Sequence, residues 1–470
     1  MTGENGTDVG GGKSTTMCPW LRRNQFMKTA SLARLSAADA FLLDNACPDI
    51  VSVLVFDIDG ESPSFDTIRD QIRRNIERMD ALPVRLAHDR LKAGFPYRVR
   101  SHRRSDSAIV ELRSSTTWEE ALTELSDLAG CKVDPFTQCV KVHVFRNVES
   151  SPTVSGTATL VALQVNHAIV DGRGAARILQ ELLDGGGSSS VRARPLDRDP
   201  SWMHTAMAVV GVPGRLARTY WRLFRLPREA AHDSRDNRPE QSSHSRTGDG
   251  PSGIDTVMFD RQDLTPLEMT VTETALTAVA FALPLIEGRS YRGEVPIAAP
   301  PGLNPRTVNN LVNVVVELPD STGTPSAAAF RIRELLTAEI ETARNIAARA
   351  RLSVIDGAPA FVVRAIAKNA ASEHNTSSRD AVDRFKLTSY QAPVSGAHVG
   401  GTPPSFAMSI PTLGPSEALT VTFVGFGDVV TTTIAARPGP IDDLPAFLDR
   451  LVAAVADLGA ADRQHRFRED

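Results

Sequence analysis

Two α/β sandwich domains are the architecture this sequence predicts, and three observations lead to it. The chain has 470 residues, more than one ordinary core organises, and 41% of them are apolar, enough for two cores. In both halves, β-branched runs alternate with segments whose apolar residues recur every three or four positions. The most polar stretch, from Pro227 to Gly253, falls near the middle of the chain. The expected organisation is a disordered N-terminus over 1–30, an N-terminal domain over 31–200, connecting amphipathic helices and a mobile linker over 201–253, and a C-terminal domain over 254–465. No short-period repeat is present.

Taken in order, order begins near Leu35, where Ser36 can cap a short helix, AADAFLL. Residues 51–58 (VSVLVFDI) read as a strand. Phe65, Ile68, Ile72, Ile76 and Met79 mark one helix face. Leu122, Leu125 and Leu128 mark another, behind a capping box from Thr117 to Glu120. Strands are expected over 139–145 and 157–165. In the second, Thr159, Val161, Leu163 and Val165 share a face, and His167 continues their parity. Ala175, Ile178, Leu179 and Leu182 then define a helix, followed by a flexible GGGSSS break at 185–190.

Residues 201–226 interleave aromatics with arginines, and Pro213 with Gly214 is expected to divide them into two helices. These helices either lie on an anionic membrane or connect the domains. The second reading, carried forward here, places Trp221 and Phe224 in the core. The second half predicts a helix over 270–285, a strand over 310–318, helices over 325–350 and 360–371, a hairpin of 418–424 with 429–435 through GFGD, and a final helix over 444–458.

The formal net charge of -4 points to neither nucleic acid nor an acidic surface as partner. Four cysteines without a C-x-x-C pair read as a reducing cytoplasm. No apolar run approaches the roughly 18 residues a bilayer span needs, and the polar, glycine-rich N-terminus lacks a signal-peptide core. A cytoplasmic protein is expected, with peripheral contact at the inner membrane face left open. GGGKST at 10–15 is not a phosphate loop, because Thr7 stands where the pattern needs glycine and no strand precedes it.

The chemistry concentrates in Asn166-His167-Ala-Ile-Val-Asp171-Gly172. A strand ends, a histidine sits at its exit, and a glycine turn leads into a helix. Histidine suits removal of a hydroxyl proton because its ordinary pKa, about 6.5, lies near operating pH. Asp171, four residues on across the turn, is better placed to hold local backbone than to relay protons. Gly172 and Gly174 keep side chains away from an approaching ligand. The bland reading of His167 is a satisfied core histidine.

This segment resembles the HHxxxDG motif of the bacterial wax ester synthase/diacylglycerol acyltransferase family, within the chloramphenicol acetyltransferase-like superfamily. Other matches follow in order: RLSAADAFLL, VNNLVNVVVELP, the paired strands over 418–435, and the final helix. The resemblance runs from about Leu32 to Leu458. It implies two acetyltransferase-like domains with a tunnel between them, acyl-CoA entering from one side and the acceptor alcohol from the other. It makes His167 the general base and Asp171 mainly structural, with Asn166 and Gly172 beside the substrates. It implies no cofactor and no metal, acyl-CoA being a co-substrate, and allows contact with a membrane or lipid droplet.

The chain departs from the family in several places. Asn166 replaces the motif's first histidine, and Gln138, Cys139 and Val140 fall where the family has PLW. Thr272 and Glu273 fall on its Asn-Asp pair, and APPG at 299–302 stands where an arginine is usual. The leading expectation is an O-acyltransferase moving a long-chain acyl group from acyl-CoA to diacylglycerol or a fatty alcohol, the chemistry of triacylglycerol and wax ester biosynthesis. The alternatives are a specialised-metabolite or condensation-like enzyme with a carrier-bound donor, and a non-catalytic lipid-binding homologue.

Overall fold

A computed structural model describes residues 33–469 except 45–46, 59–61, 80–81, 83, 102–107, 114, 153–155, 185–194, 225–252, 285–290, 299–307, 310, 320–322, 346–353, 377–383, 395, 414–416, 439–440 and 442. The expected disordered N-terminus, the GGGSSS break, the polar linker and the APPG segment lie outside the described residues.

The strands are β1 (Ile50–Ile58), β2 (Val84–Ala87), β3 (Tyr97–Arg100), β4 (Ile109–Arg113), β5 (Thr116–Thr117), β6 (Val140–Glu149), β7 (Thr157–Val165), β8 (Gly253–Asp260), β9 (Arg292–Ala298), β10 (Leu311–Glu317), β11 (Arg384–Gln391), β12 (Phe406–Ile410), β13 (Leu419–Phe426) and β14 (Val429–Ala436). The helices are α1 (Ala37–Asp44), α2 (Phe65–Arg78), α3 (Trp118–Gly130), α4 (Gly172–Asp184), α5 (Trp202–Phe224), α6 (Val271–Ala282), α7 (Pro325–Arg344), α8 (Ala360–Thr376) and α9 (Leu444–Glu469).

Two six-stranded sheets organise the chain into a two-domain α/β fold. The first runs β12-β1-β7-β6-β4, with β5 also on β6, and its long central pairs are antiparallel. Alternation along β1 sends Leu54 and Phe56 to the side covered by α2 and α4, and Val51, Val53 and Val55 to the side covered by α3. The second sheet runs β10-β9-β11-β13-β14-β8, and α6, α7 and α9 pack on it. The capping boxes at the starts of α3 and α6 satisfy backbone donors that would otherwise be orphaned. The GFGD hairpin forms as expected, with Gly427 at a φ of 58° supplying the left-handed turn residue.

The structure differs from the sequence reading in two respects. β12 lies within the expected C-terminal domain of 254–465, yet it pairs with β1 in the first sheet (Ser52 opposite Ser409). The chain crosses from β11 in the second sheet to β12 in the first and back to β13. β12 is buried along its whole length on both faces, so its short apolar run completes the first sheet's core.

The second difference concerns α5, which is one continuous helix through Pro213. Proline removes one helical hydrogen bond, but Pro213 and Val209 lie on the solvent side, where water can satisfy the freed carbonyl. The expectation that its aromatics are core is also overturned. Trp221 is 55% exposed and Phe224 78%, and the helix buries only His204, Thr205, Ala208 and Thr219.

Candidate functional site

β7 ends at Val165, and the following turn carries Asn166 and His167 into the start of α4. Asp171 is the residue before the helix. Its Oδ1 accepts the backbone N–H of Gly174 at 2.7 Å, and its carbonyl accepts that of Ala175 at 2.8 Å. That is N-cap geometry, which explains why a short oxygen-bearing side chain stands here. A Cβ on Gly174 would collide with Val170 Cγ2, so the cap is closed only by glycine. A Cβ on Gly172 would lie 3.4 Å from the Tyr390 ring of β11. Burial pushes the Tyr390 phenol up to about 12, which keeps it protonated at neutral pH.

Asn166 stands where the motif's first histidine would be, and its amide is committed to the protein. Its Nδ2 donates to Asp49 Oδ1 at 3.2 Å, and its Oδ1 accepts from Ala168 N at 3.1 Å. Asp49, 2% exposed, also accepts from Val133 N and Gln164 Nε2, and burial raises its pKa. The backbone N–H of Asn166 donates to the carbonyl of Cys139. The Gln138–Val140 segment thus pins the start of the motif from β6. Asn166, expected beside substrate, is 6% exposed and braces the turn.

His167 has a partner the sequence reading did not single out. Its Nδ1 is 3.0 Å from Asn309 Oδ1, and Asn309 Nδ2 donates to the carbonyl of His167 at 2.7 Å. The same Nδ2 donates to Asp39 Oδ1 at 3.1 Å. Both partners of Nδ2 are pure acceptors, so the reversed amide would set oxygen against oxygen twice. Asn309 Oδ1 therefore faces His167 and can only accept. That arrangement favours a proton on Nδ1 of His167 and a lone pair on Nε2. No described residue hydrogen-bonds that nitrogen. Burial holds the imidazole below the ordinary histidine range and the nearby Lys386 charge adds to this, while the residue's own backbone, then Asn309 and Asp171, oppose it.

Asp39, fully buried in α1, receives a second set of bonds from the same loop, from Asn309 N and Val308 N. Its own N–H donates to Ser36 Oγ at 3.0 Å, the cap expected from the sequence. Arg98 of β3 approaches Asp39 to 3.7 Å and is 1% exposed. The signals for these residues were faint: an acid inside the apolar run AADAFLL, and two asparagines ahead of an apolar strand. Glu273, by contrast, closes the α6 capping box with Thr270, accepting from Thr270 N and lying 3.5 Å from Arg333, and Thr272 stands between them in the first turn.

Neither protein-family models nor curated protein sequences match the chain. Solved structures do. A wax ester synthase/diacylglycerol acyltransferase from Marinobacter aquaeolei VT8 superposes over 91% of this chain and 99% of its own, at 14% identity and a TM-score of 0.57. The fold is chloramphenicol acetyltransferase-like. A trichothecene 15-O-acetyltransferase from Fusarium sporotrichioides covers 91% of this chain and 94% of its own at 11% identity and a TM-score of 0.55. The starter condensation domain of rhizomide synthetase, in complex with C8-CoA and Leu-SNAC, covers 94% and 96% at 13% identity and a TM-score of 0.50. At these identities the shared property is the chloramphenicol acetyltransferase-like fold. No described helix is long and apolar enough to cross a membrane.

Proposed function

We propose that the chain is an O-acyltransferase in which His167 Nε2 is the general base toward an acceptor hydroxyl and acyl-CoA is the donor. The observation that carries the reading is Nε2 of His167, which no described residue hydrogen-bonds, left basic because Asn309 holds the proton on Nδ1. Nε2 takes the hydroxyl proton as the oxygen adds to the thioester carbonyl. The tetrahedral intermediate then collapses, the C–S bond breaks, and the departing thiolate recovers the proton from Nε2 to leave an ester and free CoA. Burial favours neutral imidazole, the form the first step needs. Asp171 acts through the backbone, fixing the turn that presents His167. The likeness to enzymes named as acyltransferases supports the reaction class. The likeness to a wax ester synthase/diacylglycerol acyltransferase makes a long-chain acyl group and a hydrophobic alcohol or diacylglycerol the first substrates to try. A carrier-bound donor is the second reading, supported by the likeness to a starter condensation domain, while Asn166 and the altered pair Thr272–Glu273 favour the non-catalytic lipid-binding alternative.

The test is thiol release from acyl-CoA donors of several chain lengths, with alcohols, diacylglycerol and amines as acceptors. Release that depends on acceptor and disappears in His167→Ala supports the reading. A folded His167→Ala protein releasing CoA at the parent rate removes His167 as base. No turnover by the parent with any pair, together with a copurifying lipid found by mass spectrometry, would favour a lipid-binding protein.

A further inference from the structure

The general base draws on a chain of buried polar groups taken from four separate stretches of sequence. Arg98 comes from β3, Asp39 from α1, Asn309 from the loop before β10, and His167 from the turn after β7. Asn309 and His167 are 142 residues apart in sequence, and Asp39 and Asn309 are 270 apart. Burying such groups costs free energy unless every one is paired, so their convergence on one imidazole calls for an explanation.

Each link has a direction. Asp39 Oδ1 accepts from both the backbone N and the Nδ2 of Asn309, at 3.2 and 3.1 Å. Those two bonds fix the rotation of the Asn309 amide, and the carboxylate polarises it so that Oδ1 becomes a stronger acceptor. Without Asp39 only the His167 carbonyl would orient the amide, and a reversed amide that presents its NH2 group to His167 would become accessible. Meeting the NH2 group would force Nδ1 to accept, move the proton to Nε2 and remove the base. Among the described residues, Arg98 is the buried cation beside Asp39, 3.7 Å from its Oδ2, and it balances the carboxylate charge.

We propose, on the reading of His167 as base, that Asp39, charge-balanced by Arg98, is a positioning residue: it locks the Asn309 amide and thereby the Nδ1–H tautomer of His167. Asp39 and Arg98 touch no substrate in this arrangement. The lock also joins the first segment of the fold to the loop entering the second sheet, so the base is set only once both are in place.

The test reads the tautomer directly. Full-length protein labelled with 15N-histidine would be examined by long-range 1H–15N spectroscopy, with His167 assigned from its missing signals in His167→Gln. The parent should show a pyrrole-type Nδ1 and a pyridine-type Nε2. In Asn309→Ala and Asp39→Asn the two nitrogens should move toward the averaged shifts of an exchanging pair. Because Asp39→Asn leaves Arg98 buried beside a neutral group and can fail to fold, the double variant Asp39→Asn/Arg98→Met removes both charges together and should show the same averaging. Where turnover is measurable, kcat should fall about tenfold or more with little change in KM, short of the roughly 10²–10⁴ that loss of the base itself costs. A parent carrying the proton on Nε2, or folded variants with unchanged nitrogen shifts, would overturn the proposal. The tautomer is read without substrate, so a failed lock is distinguishable from a failed general base, which shows instead as an active His167→Ala.

Discussion

The pair Arg98–Asp39 gives a stability prediction whose sign differs for its two members. Arg98 is 1% exposed, none of its guanidinium nitrogens has a hydrogen bond among the described residues, and burial pulls its pKa below the usual arginine range. Asp39 is fully buried too, but three backbone and amide N–H groups donate to it. At 3.7 Å the attraction between them is about 4 kcal/mol for an effective dielectric near 20.

Asp39→Asn forfeits that attraction and leaves the guanidinium dehydrated with nothing to balance it, a loss of about 3–5 kcal/mol. Arg98→Met forfeits the same attraction but also removes the dehydrated cation, and the carboxylate keeps its three donors. These two changes offset, and the net loss should be about 1 kcal/mol. The double variant should then resemble Arg98→Met, giving a coupling of roughly 3–5 kcal/mol in a double-mutant cycle. Urea unfolding followed by circular dichroism would measure all four proteins. Equal penalties for the two single variants, or a double variant that is simply their sum, would refute the argument that Asp39 is held by its donors and Arg98 by Asp39 alone.

Turnover should rise with pH to a plateau, with its midpoint below the ordinary histidine value of about 6.5, because burial lowers the His167 pKa and the neutral imidazole is the base. A rate profile centred above 6.5 would contradict that environment. The same shift makes His167 contribute stability that is present above pH ~6.5 and declines as pH falls toward its folded pKa, since the unfolded chain binds the proton more readily. At the α4 N-cap, Asp171→Ala should cost about 1 kcal/mol of stability and Asp171→Asn far less, because asparagine caps nearly as well. An Asp171→Asn protein of parental stability but strongly reduced turnover would show instead that the charge acts in the chemistry. Gly174→Ala should cost about 1–3 kcal/mol through its collision with Val170, read as a lower thermal midpoint. The exposed Val210, Tyr220 and Phe224 of α5, interleaved with Arg215 and Arg218, should give weak binding to anionic vesicles. That binding should fall as salt shortens electrostatic reach to about 10 Å at 0.1 M. Equal binding to neutral vesicles would contradict it.

Much of the fold is written locally. The capping box of Thr117 and Glu120, the period-two face ending in Val165, the period of Ile68, Ile72 and Ile76, and the GFGD hairpin each depend on residues within a few positions of one another, and each forms where the sequence places it. The NHAIVDG segment is legible for the same reason, because the Asp171 cap and the Gly174 turn are local bonds. The transfer of β12 to the first sheet is different: one short apolar run satisfies any buried edge, and only the packing of β1 against it decides which. Pro213 breaks a helix or passes through one according to whether water reaches the freed carbonyl, which is a matter of what covers α5. The proton on His167 is likewise a tertiary decision. On the proposed reading, the residue that favours Nδ1 is an asparagine 142 residues away, whose amide is held by Asp39 and by the His167 carbonyl.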